Sequence, residues 1–302
     1  MTELQGIRGR IFVVGAGAAG SSLARALASS GHAVDAVVSR TASRASDLAS
    51  KTGARYGGDE YRYLDVADLV ILAVPDDAIR VASSDLAGRR EDWSGAVVCH
   101  LSGALSSAEL GRLESLGALT ASFHPMVSLQ PESTPEVFKG ARINIEGHDS
   151  AVEVCREMAR AIGAMPFVIG HRTKQVIHLG ATIASNYLVT LLAVASELLK
   201  NADVPPEEFE GLFRPLVEAT LRNIRFESPA RALTGPIARA DAATLRTQLE
   251  LVREHYTEYL PMISILASET IRAAAVSGRI SLEESEDLLH LVGEIIESSS
   301  PY

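Results

Sequence analysis

Residues 11–20 read Ile-Phe-Val-Val-Gly15-Ala16-Gly17-Ala18-Ala19-Gly20, and residues 21–29 continue as Ser-Ser-Leu-Ala-Arg-Ala-Leu-Ala-Ser. A short apolar run, a G-x-G-x-x-G turn and a helix-forming stretch, in that order, open a dinucleotide-binding unit. In such a loop Gly15 makes the tight turn and Gly17 lets a pyrophosphate approach the backbone. Gly20 lets helix and strand pack closely. Ala18 and Ala19 begin the helix, whose N-terminus offers unpaired N–H groups to phosphates.

Outward from this loop, the chain to about residue 170 alternates β-rich runs with helical ones. The strands expected are Arg10–Val14, Ala33–Val38, Leu69–Val74, Ala96–His100, Leu119–Phe123, Arg142–Ile145 and Phe167–Ile169. Several are apolar nearly throughout, which suits strands covered on both faces. Strands alternating with helices predict a parallel, doubly wound sheet. About 20 residues after the glycine loop, an NAD-binding domain carries an acid. This chain has Ser39, Arg40, Thr41, Ser43 and Arg44 instead. A carboxylate repels a 2′-phosphate, whereas hydroxyls and guanidinium groups hold it, so Ser39, Arg40 and Arg44 point to NADP(H). The strand from Asp68 ends in Ala73-Val74-Pro75-Asp76-Asp77, at the crevice where open α/β sheets bind ligands. Asp76 and Asp77 are suited either to capping the next helix or to touching cofactor.

After Gly170 the pattern becomes helical. One helix is expected from His171 to about Asn201. It is apolar on most sides, as for a helix buried in a core or an oligomer interface. Pro206 suits a helix start. Further helices are expected at 207–225, 242–256, 258–277 and 282–298, with Ser281 and Glu284 as a capping box. The organisation read from this is a Rossmann domain over 1–170 and an all-helical domain over 171–302.

The chain has 302 residues and a net charge of −10. An acidic chain without a basic block is a poor partner for nucleic acid or an anionic membrane. Cys99 and Cys155 are the two cysteines, too few for a disulfide framework. The histidines show no metal-ligand spacing. No apolar run is expected to reach membrane-spanning length, and no signal peptide is apparent, so the expectation is a cytoplasmic protein.

Beyond the glycine loop, several segments carry a resemblance: Ala73–Asp76, His100-Leu-Ser-Gly103, Ser122-Phe-His-Pro-Met126, His178 with Ala184-Ser-Asn186, and Ala232 through Asp241. Through them the chain resembles the 6-phosphogluconate-dehydrogenase-like superfamily, including ketopantoate reductase, pyrroline-5-carboxylate reductase and prephenate dehydrogenase. Its nearest likeness is a bacterial family with a Rossmann-like domain followed by a C-terminal domain of unknown function. Some members of that family look like an alternative ketopantoate reductase.

The resemblance implies that the long helix carries chemistry. His178, Thr182 and Asn186 are spaced by four and share a helix face over about 12 Å. Ketopantoate reductase has a lysine and two asparagines at that spacing. Here His178 stands at the lysine position, Thr182 at the first asparagine and Asn186 at the second. Imidazole serves as a proton donor near neutral pH, and Lys174, one turn earlier, is its rival. His124-Pro125-Met126 resembles the segment that faces the nicotinamide in prephenate dehydrogenases. His100-Leu-Ser102 also ends a strand on the cofactor side, placing Ser102 beside cofactor and substrate. Thr234 and Arg239 offer groups for a carboxylate. In relatives that region often completes a partner's cleft, which implies a homodimer through the helical domain.

The expected activity is NADP(H)-dependent reduction of a small 2-oxo acid, with ketopantoate leading. Reduction of a cyclic imine acid is the alternative enzyme. A non-catalytic NADP(H) sensor or scaffold is the alternative of another class.

Overall fold

The computed structural model describes residues 9–57, 60–202, 204–205 and 207–298. The expectation for Pro206 lies outside them. The chain divides into two compact units, 1–188 and 189–302.

The first unit is built on a seven-stranded sheet: β1 Ile11–Val14, β2 Val34–Val38, β3 Leu69–Leu72, β4 Val97–His100, β5 Leu119–Pro125, β6 Arg142–Gly147 and β7 Met165–Val168. All seven expected strands form, in the order β2-β1-β3-β4-β5-β6-β7. The expectation of a parallel sheet holds for β1 to β5. It fails at β6, which runs antiparallel to β5 with His124 opposite Asn144. Strand β7 then pairs parallel to β6. No helix crosses over between β5 and β6, so the chain returns in the opposite direction.

The helices of this unit are α1 Ala18–Ser29, α2 Ala42–Thr52, α3 Asp76–Ala87, α4 Gly111–Glu114, α5 Asp149–Ala161 and α6 His171–Ala181. Alternation along the strands builds two cores. Ile11, Val13, Ile71, Cys99 and Phe123 face α1 and α5, where Leu23, Leu27, Cys155 and Met158 meet them. Phe12, Val70, Leu72 and Val98 face the other way, onto Ile79, Leu86, Trp93 and Leu113.

Helix α6 passes through a π-helical turn, Thr182–Tyr187, into α7, Leu188–Asn201. The expected long helix is therefore continuous from His171 to Asn201, but of the two expected coverings the chain's own core is not the one: Lys174 alone is buried in α6, and α7 buries none of its residues. By length and composition this helix is apolar enough to cross a membrane, which corrects the expectation that no run reaches that length. Lys174, His178 and the scattered polar residues interrupt any unbroken apolar run, but the mean hydropathy stays high along the helix.

In the second unit, α8 spans Glu208–Phe226, α9 Ala242–His255, α10 Leu260–Val276 and α11 Leu282–Glu297. Its core joins Leu245 and Leu249 of α9, Ile271 of α10, and Leu288 and Leu291 of α11. The capping box forms: Glu284 N–H donates to Ser281 Oγ at 3.1 Å, and Ser281 N–H to Glu284 Oε2 at 2.7 Å.

Candidate active site

The carboxyl ends of β1, β3, β4 and β5 lie along one edge of the sheet, because these strands are parallel. That edge is where an open α/β sheet binds ligands. The glycine loop begins it. Gly15 has φ +105°, and a Cβ there would meet Ala73 O at 2.2 Å. A Cβ on Gly20 would meet Gly15 O at 2.2 Å and Ala73 Cβ at 2.7 Å. A Cβ on Gly17 would meet nothing within 4 Å. Two glycines are thus required by the chain itself, and the middle one leaves a vacant approach to the backbone. Gly17 is the N-cap of α1, with no side-chain cap bond and no acid in the first turn, so the positive end of the helix is left uncompensated. These features fit a pyrophosphate.

At the end of β2, Thr41 N–H donates to Ser39 Oγ at 3.3 Å. Arg40 and Arg44 are exposed and form no ion pair among the described residues. Ala73, Val74 and Pro75 follow β3 directly, beside Gly15. The helix-cap alternative for Asp76 and Asp77 is not observed: Pro75 is the N-cap of α3, both acids lie in its first turn, and Asp76 Oδ2 accepts from Ser102 Oγ at 2.8 Å.

A polar layer interrupts the apolar face of β4, β5 and β6. His100 is in register with Ser122, and Ser122 with Glu146. One step along, His124 lies opposite Asn144. All of these except His124 are buried, and His124 is half-buried. Helix α6 covers the layer. Lys174 is 0 % exposed; its Nζ donates to Leu105 O and to Ser122 Oγ and lies 3.8 Å from Glu146 Oε1. One turn on, the His178 ring meets the His124 ring edge to face, 5.5 Å between centroids. His178 Nδ1 is buried without a hydrogen-bond partner among the described residues. Both rings press on Gly103: a Cβ there would lie 2.3 Å from His178 Nδ1 and 2.7 Å from His124 Nε2.

The protonation states follow from the partners. Ser102 N–H donates to His100 Nδ1 at 3.2 Å, so the proton of the neutral ring is on Nε2, which donates to Ser106 O at 2.9 Å. Burial pushes His100 down to about 4. His124 Nδ1 donates to Leu101 O at 3.0 Å, leaving Nε2 as an acceptor. Burial, then the neighbouring His178 and Lys174, hold His124 below its usual value. Burial also brings Lys174 down to about 8, against the opposing pull of Glu146 and Asp76.

The lowered Lys174 value has a sign. The folded chain releases this proton near pH 8, the unfolded chain near 10.5. Between those values the unfolded state binds more protons, so stability rises with pH through that window. Denaturant unfolding at pH 7.5 and 10 is expected to show wild type gaining on Lys174→Met, by on the order of 3 kcal/mol at most. A difference that stays constant would contradict the burial of a charged Lys174.

Of the expected helix face, Thr182 Oγ1 donates to His178 O at 3.1 Å. The π turn adds a residue to the turn containing Asn186, which is exposed, so the period-of-four line no longer carries through it. Thr234 and Arg239 belong to the second unit, and both are exposed. Asp241 caps α9, accepting from Thr244 N–H at 3.0 Å. Sequence reasoning missed Glu146 and Asn144. The run Arg-Ile-Asn-Ile-Glu carries their signal: two polar residues two apart on an otherwise apolar strand must share one covered face.

Two family models match, a Rossmann-like domain over residues 1–125 and Domain of unknown function (DUF2520) over residues 141–270. No curated protein sequence matches the chain. Among solved structures it is similar to a candidate NADP oxidoreductase from Bacteroides fragilis, 23 % identical with TM-score 0.72, covering 87 % of this chain and 97 % of that one. It is also similar to a pyrroline-5-carboxylate reductase from Coxiella burnetii, 15 % identical, TM-score 0.58, covering 96 % and 99 %. A third is an imine reductase from a Pseudomonas species, 16 % identical, TM-score 0.60, covering 97 % and 95 %. At these identities the likeness is one of fold.

Proposed function

We propose that the chain is an NADP(H)-dependent reductase of a small oxo acid, with ketopantoate the leading substrate. One observation carries this reading. A dinucleotide loop with open space at Gly17 and a pair of facing histidines stand on the same carboxyl edge of one sheet. The fold shared with reductases supports it.

NADPH supplies the hydride when bound. Gly17 and the opening amides of α1 hold its pyrophosphate, with Ala73 to Pro75 alongside and Ser39, Arg40 and Arg44 around the 2′-phosphate. His178 delivers a proton to the oxygen that becomes the alkoxide, a contribution of roughly 10²–10⁴-fold. His124, kept neutral by burial and bonded to Leu101 O, fixes the direction of its Nε2 and orients His178 and the substrate. Asn186, Ser102 and Thr182 are the first unit's anchors for the substrate's carboxylate; Thr234 and Arg239 are the carboxylate-binding groups the second unit offers. The apolar residues exposed on α7 and α8, among them Val189 at 66 % and Leu216 at 60 %, form a subunit interface in this reading, giving a homodimer.

The test is the initial rate of NADPH oxidation with ketopantoate, for wild type and His178→Ala. A wild-type rate that falls at least a hundredfold in the variant supports both substrate and donor. An imine-acid rate unaffected by His178→Ala would favour the imine reading, which the fold of the pyrroline-5-carboxylate and imine reductases recommends. Thermal stabilisation by NADPH without turnover on any oxo or imine acid would leave a sensor. Ser39→Asp is expected to shift preference from NADPH toward NADH, read as the ratio of their dissociation constants. An unchanged ratio would remove the 2′-phosphate assignment.

A further inference from the structure

The loop 101–107 after β4 has little regular structure, yet side chains from surrounding elements bind its backbone. His100 Nε2 donates to Ser106 O and His124 Nδ1 to Leu101 O. Ser102 Oγ accepts from the amides of Ala104 and Leu105, at 3.1 and 3.0 Å. Glu146 takes Ser107 N–H at 2.6 Å and Ser107 Oγ–H at 3.0 Å. From α6, beside the His178 ring that packs on Gly103, Lys174 hydrogen-bonds the loop through Leu105 O while also holding Ser122 of β5 and pairing with Glu146 of β6.

Lys174 is set for holding its neighbours in place: its Nζ donates to one carbonyl, Leu105 O, and to one hydroxyl, Ser122 Oγ. Its ammonium is sealed from solvent, and Ser122 Oγ leads on to Ser102 O at 3.4 Å, a carbonyl that cannot relay a proton. A buried cation with acceptors on three elements ties those elements together, and removing it leaves Glu146 buried without its counter-charge.

We propose that Lys174 is a positioning residue, a buried clamp that with Ser122 and Glu146 holds loop 101–107 under α6 and so keeps Gly103 seated against His124 and His178. The proposal rests on the reductase reading for its consequence in catalysis, but not for its structural test.

That test is amide hydrogen exchange on the full chain, without substrate, for wild type, Lys174→Met and Ser122→Ala. Peptides spanning 101–107 are expected to exchange at least tenfold faster in Lys174→Met and less so in Ser122→Ala, with α9 to α11 unchanged. Unchanged exchange of the loop in Lys174→Met overturns the clamp. Should that variant not fold, unchanged loop exchange in Ser122→Ala overturns it. Where NADPH oxidation is measurable, kcat of the variant falls while the pH at which it declines stays where it is in wild type. Disappearance of that pH limb would make Lys174 the proton donor and overturn the proposal. A wild type without turnover, whose loop still loosens in the variant, removes the reductase reading and keeps the clamp.

Discussion

Gly17→Asp is expected to weaken NADPH binding at least a hundredfold while leaving stability near that of wild type. A Cβ at Gly17 meets nothing of the described protein within 4 Å, and the residue sits at the N-cap of α1 with φ −79°. Aspartate is a favoured N-cap, and its charge complements the helix dipole, so folding tolerates it or gains by up to about 1 kcal/mol. The same charge occupies the space left for a pyrophosphate and repels it. Gly20→Ala makes the contrast: its Cβ falls 2.2 Å from Gly15 O, and it is expected to cost about 1–3 kcal/mol through overpacking. Fluorescence titration with NADPH and denaturant unfolding separate the two. Undiminished NADPH affinity in Gly17→Asp would mean the loop is not the phosphate site.

Gly103→Ala is expected to lower kcat/KM at least a hundredfold with little change in NADPH affinity. The added methyl would lie 2.3 Å from His178 Nδ1 and 2.7 Å from His124 Cε1 and Nε2, so both rings must move. Displacing a reacting group by about 1 Å costs on the order of a hundredfold. The loop has few ways to give, since its backbone is bound by His124, Lys174 and Glu146. Steady-state rates and NADPH titration on the one variant decide it. Full activity in Gly103→Ala would exclude the two histidines from the reaction.

The local parts of the molecule were legible because short-range chemistry dictates them. The glycine loop, the seven strands and the Ser281–Glu284 box each depend on residues a few positions apart. The direction of β6 was not legible, since a connecting segment without a crossover helix reverses a strand whatever its own composition. The apolar texture of 171–201 predicted burial, but texture reports only that apolar surface needs a partner, not which chain supplies it. The period of four from His178 to Asn186 assumed an unbroken α-helix, and the π turn shifted Asn186.

By itself, then, the sequence determined a dinucleotide loop on a Rossmann sheet, a helical second half, and a short roster of histidines, lysine and asparagine for the chemistry. Tertiary structure decided which of them meet. Registry across β4, β5 and β6 put His100, Ser122 and Glu146 in one row, and α6 lowered Lys174 onto that row and His178 onto His124. Residues 22 to 54 positions apart share no local signal. Only the pairing of strands, driven by burial of their apolar faces, brings their polar faces together, and the low dielectric created by that burial is what moves His100 and Lys174 away from their ordinary values.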